Sequence, residues 1–482
     1  MSTAPRLGSF IGGASRAGAG DRWLDALNPS DTSDIVAQVP EGTPDDVHAA
    51  LEAAAAALPA WRALTGMQRA EHLHKWAAVL ADRQEALAQA MAREVGKPIA
   101  EARGEAARGV VILRYYAGEA VRPNGAVIPS QAPGAIQFTL QEPLGVVALI
   151  TPWNFPVAIP LWKAAPALAF GNTVVLKPSE MSSYVATLLA ESAAAAGLPA
   201  GVFNVLLGAG RTVGDVLIRQ PAVRAVSFTG SMKVGTQVAT VAAKRNIRYQ
   251  TEMGGKNVAI VLADADIGPA AALVAAGAMR YAGQKCTATS RVIVEKRVEA
   301  EFLAALRAHV AAMVLGPVTD PKAVVGPLIS DASRQNIGAV LDAAKADAVY
   351  AGELPRDGAF ARGSWMAPVV LRGGSPDADL AQRELFGPVL AAFTADDLDE
   401  ALALANGTPY GLSASLFTRD VRAVMTYLPR IHAGLVRVNA DTTGVDPHAP
   451  FGGMKGSSSG SREQGPAARE FYTETKTVQV NP

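Results

Sequence analysis

The chain has 482 residues, of which 49% are hydrophobic and 18% charged, and its 44 basic side chains balance 44 acidic ones. This length exceeds what one hydrophobic core usually serves, so we expect two or three domains. The balanced charge offers no basic field for nucleic acid or an anionic membrane, and the apolar runs are too short to span a bilayer. The scattered histidines and the single cysteine form no metal-ligand cluster. The single cysteine and the lack of a signal-peptide pattern favour a cytoplasmic protein.

The first 142 residues change character twice. Residues 1–45 are rich in Gly, Ser, Asp and Pro and predict an arm with short strands. Helical spacing then covers residues 46–120, with a stop signal at 96–98. Residues 135–140 alternate with period two, which predicts a projecting strand able to pair with another subunit.

Strand and helix patterns alternate from residue 145 onward. The predicted strands are 145–150, 172–177, 203–206 and 225–228. Such short apolar runs separated by helices predict a doubly wound parallel sheet, whose ligands bind at the carboxyl ends of the strands. A second α/β region begins with the strand 258–261 and continues to about residue 436. Residues 452–465 are Gly/Ser-rich and predict an irregular segment, and 475–480 predict an edge strand.

Cys286 is the only cysteine, so it cannot form an internal disulfide. A lone cysteine is often a small buried hydrophobe. Here Gly283 and Gln284 precede it and Lys285 and Thr287 flank it, which predicts a polar turn with a cation that lowers the pKa of the thiol. That setting suits a nucleophile.

Arg108 lies on an otherwise apolar face of the helix predicted from about residue 99 to residue 120. Arginine is rarely buried without a partner. Either it pairs with Glu101 or Glu105 at helical spacing, or it binds the anionic end of a ligand.

Further polar residues follow predicted strands. Residues 228–235 open a helix after a strand, so Gly230 and Ser231 suit a pyrophosphate, although a plain loop glycine remains an alternative. Lys177 and Glu180 suit ribose hydroxyls or form a surface ion pair. Glu252 in a glycine-rich turn suits a general base or is a solvated loop carboxylate. Asn154 between two prolines suits an oxyanion donor or bonds its own backbone.

Seven short motifs occur in order along the chain. They are Pro-Trp-Asn-Phe-Pro (152–156), Lys-Pro-Ser-Glu (177–180), Phe-Thr-Gly-Ser (228–231), Glu-Met-Gly-Gly-Lys (252–256), Gly-Gln-Lys-Cys (283–286), Glu-Leu-Phe-Gly-Pro (384–388) and Pro-Phe-Gly-Gly (450–453). Together they resemble the aldehyde dehydrogenase superfamily over nearly the whole chain. The resemblance implies an α/β fold with a doubly wound parallel-sheet cofactor domain, an α/β catalytic domain and a β oligomerisation arm. The expected boundaries are 1–122 and 143–253 for the cofactor domain, 254–436 for the catalytic domain, 123–142 and 466–482 for the arm, and 437–465 for a substrate-tunnel and return segment.

The resemblance also implies roles for the matching residues. Cys286 would be the nucleophile, Glu252 the general base, and Asn154 with the backbone N–H of Cys286 the oxyanion hole. The NAD(P) cofactor would be held by Trp153, Lys177, Glu180, Gly230, Ser231, Glu384 and Phe386. The carboxylate of Glu180 favours NAD, because the 2′-phosphate of NADP would add negative charge beside it. A small aldehyde would be bound by Arg108, Trp162, Lys285, Thr287, His448 and Phe451, in a homodimer or homotetramer.

The substrate is a finer question. Residues 284–291, and residues 462–465 together with 471–473, resemble the enzymes that oxidise 2-oxoglutarate semialdehyde, which indicates an anionic semialdehyde. Succinate semialdehyde and a neutral or aromatic aldehyde remain open. A CoA-acylating enzyme is a further alternative, against which Glu252 argues. A non-catalytic structural protein on the same scaffold is disfavoured by intact Cys286, Glu252 and Asn154.

Overall fold

The computed structural model describes residues 4–18, 20–344, 347–355 and 358–482. The strands are β1 Ser9–Ile11, β2 Ala14–Arg16, β3 Trp23–Asn28, β4 Asp31–Pro40, β5 Val127–Ile128, β6 Ile136–Pro143, β7 Val146–Ile150, β8 Thr173–Lys177, β9 Phe203–Val205, β10 Val223–Thr229, β11 Arg248–Glu252, β12 Val258–Val261, β13 Arg291–Glu295, β14 Ala348–Ala351, β15 Val369–Arg372, β16 Val389–Ala395, β17 Tyr410–Gly411, β18 Ser413–Phe417, β19 Leu435–Val438, β20 Met454–Lys455, β21 Ser458–Gly460 and β22 Thr473–Val480. The α-helices are α1 Pro44–Ala63, α2 Gly66–Asp82, α3 Gln84–Val95, α4 Ile99–Glu119, α5 Ala158–Ala169, α6 Ser183–Ala195, α7 Asp215–Arg219, α8 Met232–Lys244, α9 Ile267–Met279, α10 Glu299–Ala311, α11 Asp331–Ala344, α12 Asp379–Gln382, α13 Leu398–Asn406, α14 Val421–Tyr427 and α15 Ala467–Tyr472.

The first large sheet has the order β2-β1-β9-β8-β7-β10-β11-β21. Its five central strands, β9, β8, β7, β10 and β11, are parallel. Strands β7 and β8 are almost wholly buried, because helices cover both faces of the sheet; β7 is wholly apolar, and β8 is apolar between Thr173 and Lys177. All four strands predicted between residues 145 and 228 are confirmed.

The second sheet has the order β14-β15-β16-β13-β12-β18-β19, and every neighbouring pair is parallel except β14 with β15. Helices α9 and α10 pack together on it around an apolar core that includes Phe302 and Met279. Two mainly parallel sheets with helical cover confirm the predicted α/β class. The turn that carries Cys286 connects α9 to β13.

The predicted helical region is four helices. Capping boxes at Thr43 with Asp46 and at Thr65 with Gln68 begin α1 and α2. Helix α4 packs against α2, α3 and α5, which brings its length beside the loop that follows β7. Within the described ranges, no helix combines the length and the apolar composition that a bilayer crossing requires.

The C-terminal segment is more regular than the sequence suggests. The predicted edge strand is confirmed as β22, which pairs antiparallel with β6, and β5 completes a three-stranded sheet. The expectation that residues 452–465 are irregular is wrong in part, because β20 pairs with β17 and β21 pairs with β11 of the first sheet. These strands have only two or three residues, too few for an alternating pattern to stand out from Gly and Ser.

Candidate active site

One cavity of about 280 Å³ lies where the carboxyl ends of the first sheet face the cysteine turn. Seven predicted site residues line it: Trp153, Asn154, Gly230, Ser231, Cys286, Glu384 and Phe386. Five lining residues carried no predicted role: Pro152, Ile159, Thr229, Met253 and Gly254. Most of these five residues lie inside or next to the seven motifs, and that position in the sequence could have identified them as lining residues.

The turn before Cys286 is held in an unusual backbone conformation. Tyr281, Ala282 and Gly283 are left-handed, with φ of 55°, 51° and 66°. Such a conformation costs a non-glycine residue about 1–3 kcal/mol and is sustained only by surrounding structure. A side chain at residue 283 would collide with the carbonyl oxygen of Gly387, so glycine is required there. The turn thereby carries Cys286 out of α9 to the edge of the cavity.

Burial raises the pKa of Cys286 to about 12, and the carboxylates of Glu384 and Glu252 add to the increase. The backbone N–H groups of Thr287 and Cys286 act in the opposite direction. The expectation that Lys285 lowers this pKa is wrong, because its ammonium lies 2.9 Å from the Glu101 carboxylate instead. Burial therefore favours the neutral thiol over the thiolate at Cys286.

Asn154 is buried in the loop between β7 and α5. Its side-chain Nδ2 donates to the carbonyl oxygen of Gln284, two residues before the cysteine, at 3.1 Å. An amide nitrogen has two N–H groups, so a second donor remains. Asn257 holds the other side of the same turn, since its Nδ2 donates to the carbonyl oxygens of Cys286 and Ala288, each at 2.8 Å.

Glu252 is the last residue of β11 and is buried. Ser458 of β21 donates to its Oε2 at 2.5 Å, and its Oε1 has no hydrogen-bond partner among the described residues. Burial and the nearby charge of Glu463 raise the pKa of Glu252 well above its usual value. This is a desolvated carboxyl with one oxygen available.

Sequence reasoning missed the buried group around Glu463. Its carboxylate forms an ion pair with Lys163 of α5 and accepts from the indole N–H of Trp162 at 2.8 Å and from the hydroxyl of Ser227 at 3.1 Å. Residue 463 was noted only as part of a subfamily motif. Its partners lie about 240 to 300 residues earlier in the chain, and no local sequence pattern indicates contacts over such separations.

Glu384 and the aromatic rings of Trp153 and Phe386 line another part of the cavity. Glu384 accepts from the backbone N–H of Gly255 at 3.0 Å, and burial raises its pKa to about 7. A side chain at residue 254 would clash with this carboxylate, so Gly254 is required for the close approach. The Trp153 and Phe386 rings meet edge to face with centroids 5.6 Å apart.

Lys177 and Glu180 lie apart from this cavity, at the carboxyl end of β8. The Lys177 ammonium is buried and lies 3.2 Å from Glu180 Oε2, while Glu180 Oε1 accepts from the Gly210 N–H at 3.3 Å. Ser231 is the N-cap of α8 and makes no side-chain capping bond. Lys177 at the end of β8 and Ser231 after β10 therefore lie along the same carboxyl edge of the first sheet as the cavity.

Arg108 of α4 makes no ion pair in the described part of the chain. It donates from Nη2 to the carbonyl oxygen of Val445, and its buried Nε–H has no hydrogen-bond partner there. Burial lowers its pKa, while Asp446 and Glu105 act in the opposite direction. The alternative that Arg108 pairs with Glu101 or Glu105 is not supported, because those carboxylates lie against Lys285 and Lys97.

The remaining predicted substrate residues lie in three different settings. Phe451 and Cys286 pack in one small apolar cluster with Val445, and the Phe451 ring lies 5.5 Å from that of Trp162. Arg108 therefore binds the backbone of a residue that packs against the same cluster as Cys286. His448 is exposed, with its ring 6.4 Å from that of Tyr115 on α4. Thr287 is buried beside the cysteine, and Lys285 is held by Glu101.

Comparisons with known proteins agree with this geometry. The model of the aldehyde dehydrogenase family matches residues 16–478. The chain belongs to the aldehyde dehydrogenase family. An alpha-ketoglutaric semialdehyde dehydrogenase of Bacillus subtilis (strain 168) is 44% identical over 477 residues, which are 98% of each chain. An alpha-ketoglutarate semialdehyde dehydrogenase of Haloferax volcanii is 41% identical over 458 residues, 94% of this chain and 95% of the relative.

A solved structure extends the likeness to the fold. The crystal structure of an NAD-dependent aldehyde dehydrogenase from Sinorhizobium meliloti superposes with a TM-score of 0.95 and 36% identity, over 99% of this chain and 95% of that one. The predicted family and enzyme class are confirmed. This aldehyde dehydrogenase is therefore an oxidoreductase that acts on small aldehydes.

Proposed function

We propose that the protein oxidises 2-oxoglutarate semialdehyde to 2-oxoglutarate with NAD. The observation that carries the substrate is the guanidinium of Arg108. Its Nε–H has no partner among the described residues, and it donates to the backbone of Val445, which packs against the same apolar cluster as Cys286. An anionic semialdehyde needs such a cation at the end opposite its aldehyde. Two relatives are named for this semialdehyde, which supports the same substrate.

The reaction begins at Cys286. Its Sγ forms a bond to the aldehyde carbon while its proton passes to solvent water, because burial raises the pKa of the thiol and keeps it protonated before attack. Negative charge develops on the former carbonyl oxygen, where the second N–H of Asn154 and the backbone N–H of Cys286 donate. A thiohemiacetal results.

The cofactor site fits NAD on three observations. Lys177 is a buried ammonium with one carboxylate partner, Ser231 begins a helix without a capping bond, and Glu384 lies in the cavity shared with the cysteine. We assign Lys177 and Glu180 to the adenosine ribose, and Gly230 and Ser231 to the pyrophosphate. Bound NAD supplies the acceptor for the hydride that leaves the thiohemiacetal carbon.

At the nicotinamide end we assign Glu384 to the ribose, with Trp153 and Phe386 packed beside it. Glu180 favours NAD over NADP, because a 2′-phosphate would add negative charge beside its carboxylate. The thioester left on Cys286 is then hydrolysed. Oε1 of Glu252 takes a proton from water, the oxygen bonds to the acyl carbon, and the C–S bond breaks to release the acid.

For domain division, assembly and cellular location we propose what the sequence predicts. We divide the chain as predicted, into a cofactor domain (1–122 and 143–253), a catalytic domain (254–436), an arm and a return segment. The three-stranded sheet of the arm exposes Val127, Ile136 and Val480, apolar side chains that suit a second copy of the chain in a homodimer or homotetramer. We expect the enzyme to act in the cytoplasm.

The test is a panel of aldehydes assayed with NAD and with NADP. We expect the highest kcat/KM for 2-oxoglutarate semialdehyde with NAD, lower values for succinate semialdehyde, and much lower values for pentanal. Cys286→Ala serves as the inactive control. A preference for neutral or aromatic aldehydes would contradict the proposed substrate, and a requirement for CoA would contradict hydrolysis by Glu252.

A further inference from the structure

We propose that the buried ion pair of Lys97 and Glu105 positions Asn154 for its oxyanion role, an inference that rests on the function proposed above. Lys97 lies in the connection between α3 and α4 and is 1% exposed. Its ammonium contacts the Glu105 carboxylate and donates to the backbone carbonyl oxygen of Asn154 at 2.7 Å. The cation therefore holds the main chain of the residue whose side chain donates to the oxyanion.

Glu105 holds the other end of the same loop. Its Oε1 accepts from the backbone N–H groups of Val157 and Ala158, at 2.9 and 3.0 Å. These groups begin α5, whose N-cap makes no side-chain capping bond, and a carboxylate satisfies both donors and the helix dipole. The segment 154–158 is thus fixed through a carbonyl at its start and two N–H groups at its end.

The same ammonium also contacts the cysteine turn. Lys97 Nζ lies 4.0 Å from the centroid of the Phe155 ring and 4.6 Å from that of the Tyr281 ring. Tyr281 is the first of the three left-handed residues that lead to Cys286. One cation therefore contacts both the loop of the oxyanion donor and the turn that leads to the nucleophile.

Stability alone does not account for this pair. Two charges withdrawn from water lose much of their hydration, and apolar residues of similar volume often replace a buried ion pair without loss of stability. The directional contacts to Asn154, Val157 and Ala158 are what apolar residues cannot reproduce. A displacement of about 1 Å at a reacting centre can cost about a hundredfold in rate.

The principal test is the double variant Lys97→Met/Glu105→Leu, which removes both charges and leaves neither one buried alone. We expect it to fold, with a urea midpoint near that of the parent and an unchanged Kd for NAD. The rate constant of NADH formation in a single turnover should fall about tenfold to a hundredfold. Glu105→Gln is the second variant, and its fall in rate should be smaller because its amide oxygen still accepts from the two N–H groups.

Glu94→Gln is the matched control. Glu94 is also buried, and its carboxylate accepts from the backbone N–H groups of Tyr184 and Val185, none of which lines the cavity. It should lower the urea midpoint without changing the single-turnover rate. If the double variant keeps the parent rate, or if Glu94→Gln loses as much rate as the double variant, the positioning role is overturned. If the double variant does not fold, the single-turnover rate of Glu105→Gln is the deciding measurement, and a rate equal to that of the parent overturns the positioning role.

A double-mutant cycle with Asn154→Ala separates the two proposals. If Lys97 and Glu105 act through Asn154, removing them from the Asn154→Ala enzyme should change the single-turnover rate less than threefold. Additive losses would overturn the inference while leaving the role of Asn154 intact. A parent-like rate for Asn154→Ala itself would instead refute the oxyanion role on which the inference depends.

Discussion

Replacement of Arg108 by leucine should remove the preference for an anionic substrate. Arg108 has five N–H groups, of which one on Nη2 binds Val445 and the buried Nε–H binds no described residue. A charge-assisted contact contributes about 1.5–3 kcal/mol. The nearby carboxylates of Asp446 and Glu105 offset part of the attraction, so we take the lower part of this range.

The expected loss is about 1.5–2 kcal/mol, which is about tenfold to thirtyfold in kcat/KM for 2-oxoglutarate semialdehyde. Pentanal, with the same chain length and no carboxylate, should lose less than threefold. Arg114→Leu on the same helix is the control, because Arg114 is exposed and should change neither value. An equal loss on both aldehydes in Arg108→Leu would show that the guanidinium is structural, and the anionic substrate would lose its main support.

Three further predictions concern the proposed chemistry. Glu252→Gln should give a burst of NADH on rapid mixing and then almost no turnover, because the thioester forms without a base to hydrolyse it; full steady-state activity would exclude this role. Iodoacetamide should alkylate Cys286 of the free enzyme about tenfold faster per pH unit from about pH 7 to 10, since only the thiolate reacts and its pKa is about 12. A plateau below about pH 9 would contradict that pKa. Glu180→Gln should raise kcat/KM with NADP relative to NAD, and an unchanged ratio would show that Glu180 does not select the cofactor.

Residues at the carboxyl ends of strands were predictable because two local patterns coincide there. A short apolar run identifies a strand of a parallel sheet, and the polar motif at its carboxyl end must then face the ligand edge. Asn154 after β7 and Lys177 at the end of β8 follow this rule. The short strands β20 and β21 carry no such run, and only pairing with distant strands defines them.

Contacts between distant parts of the chain were not predictable in the same way. Lys285 precedes the cysteine in sequence, but its side chain reaches Glu101 on α4, and the pKa of the thiol rises instead of falling. Lys97 was assigned to a helix stop, yet its ammonium binds Asn154, 57 residues later. In both cases a charged side chain finds its partner through tertiary packing, which sequence neighbours do not reveal.

The antiparallel strand β21 makes the candidate site depend on a segment that is distant along the chain. Ser458 and Glu463 complete the surroundings of Glu252 in β11 and of Lys163 in α5, which lie 206 and 300 residues earlier. If this segment detaches, the Lys163 ammonium loses its carboxylate, a deficit of about 3–5 kcal/mol for a buried pair. Refolding therefore has to return this segment to the edge of β11 before Glu252 regains its surroundings.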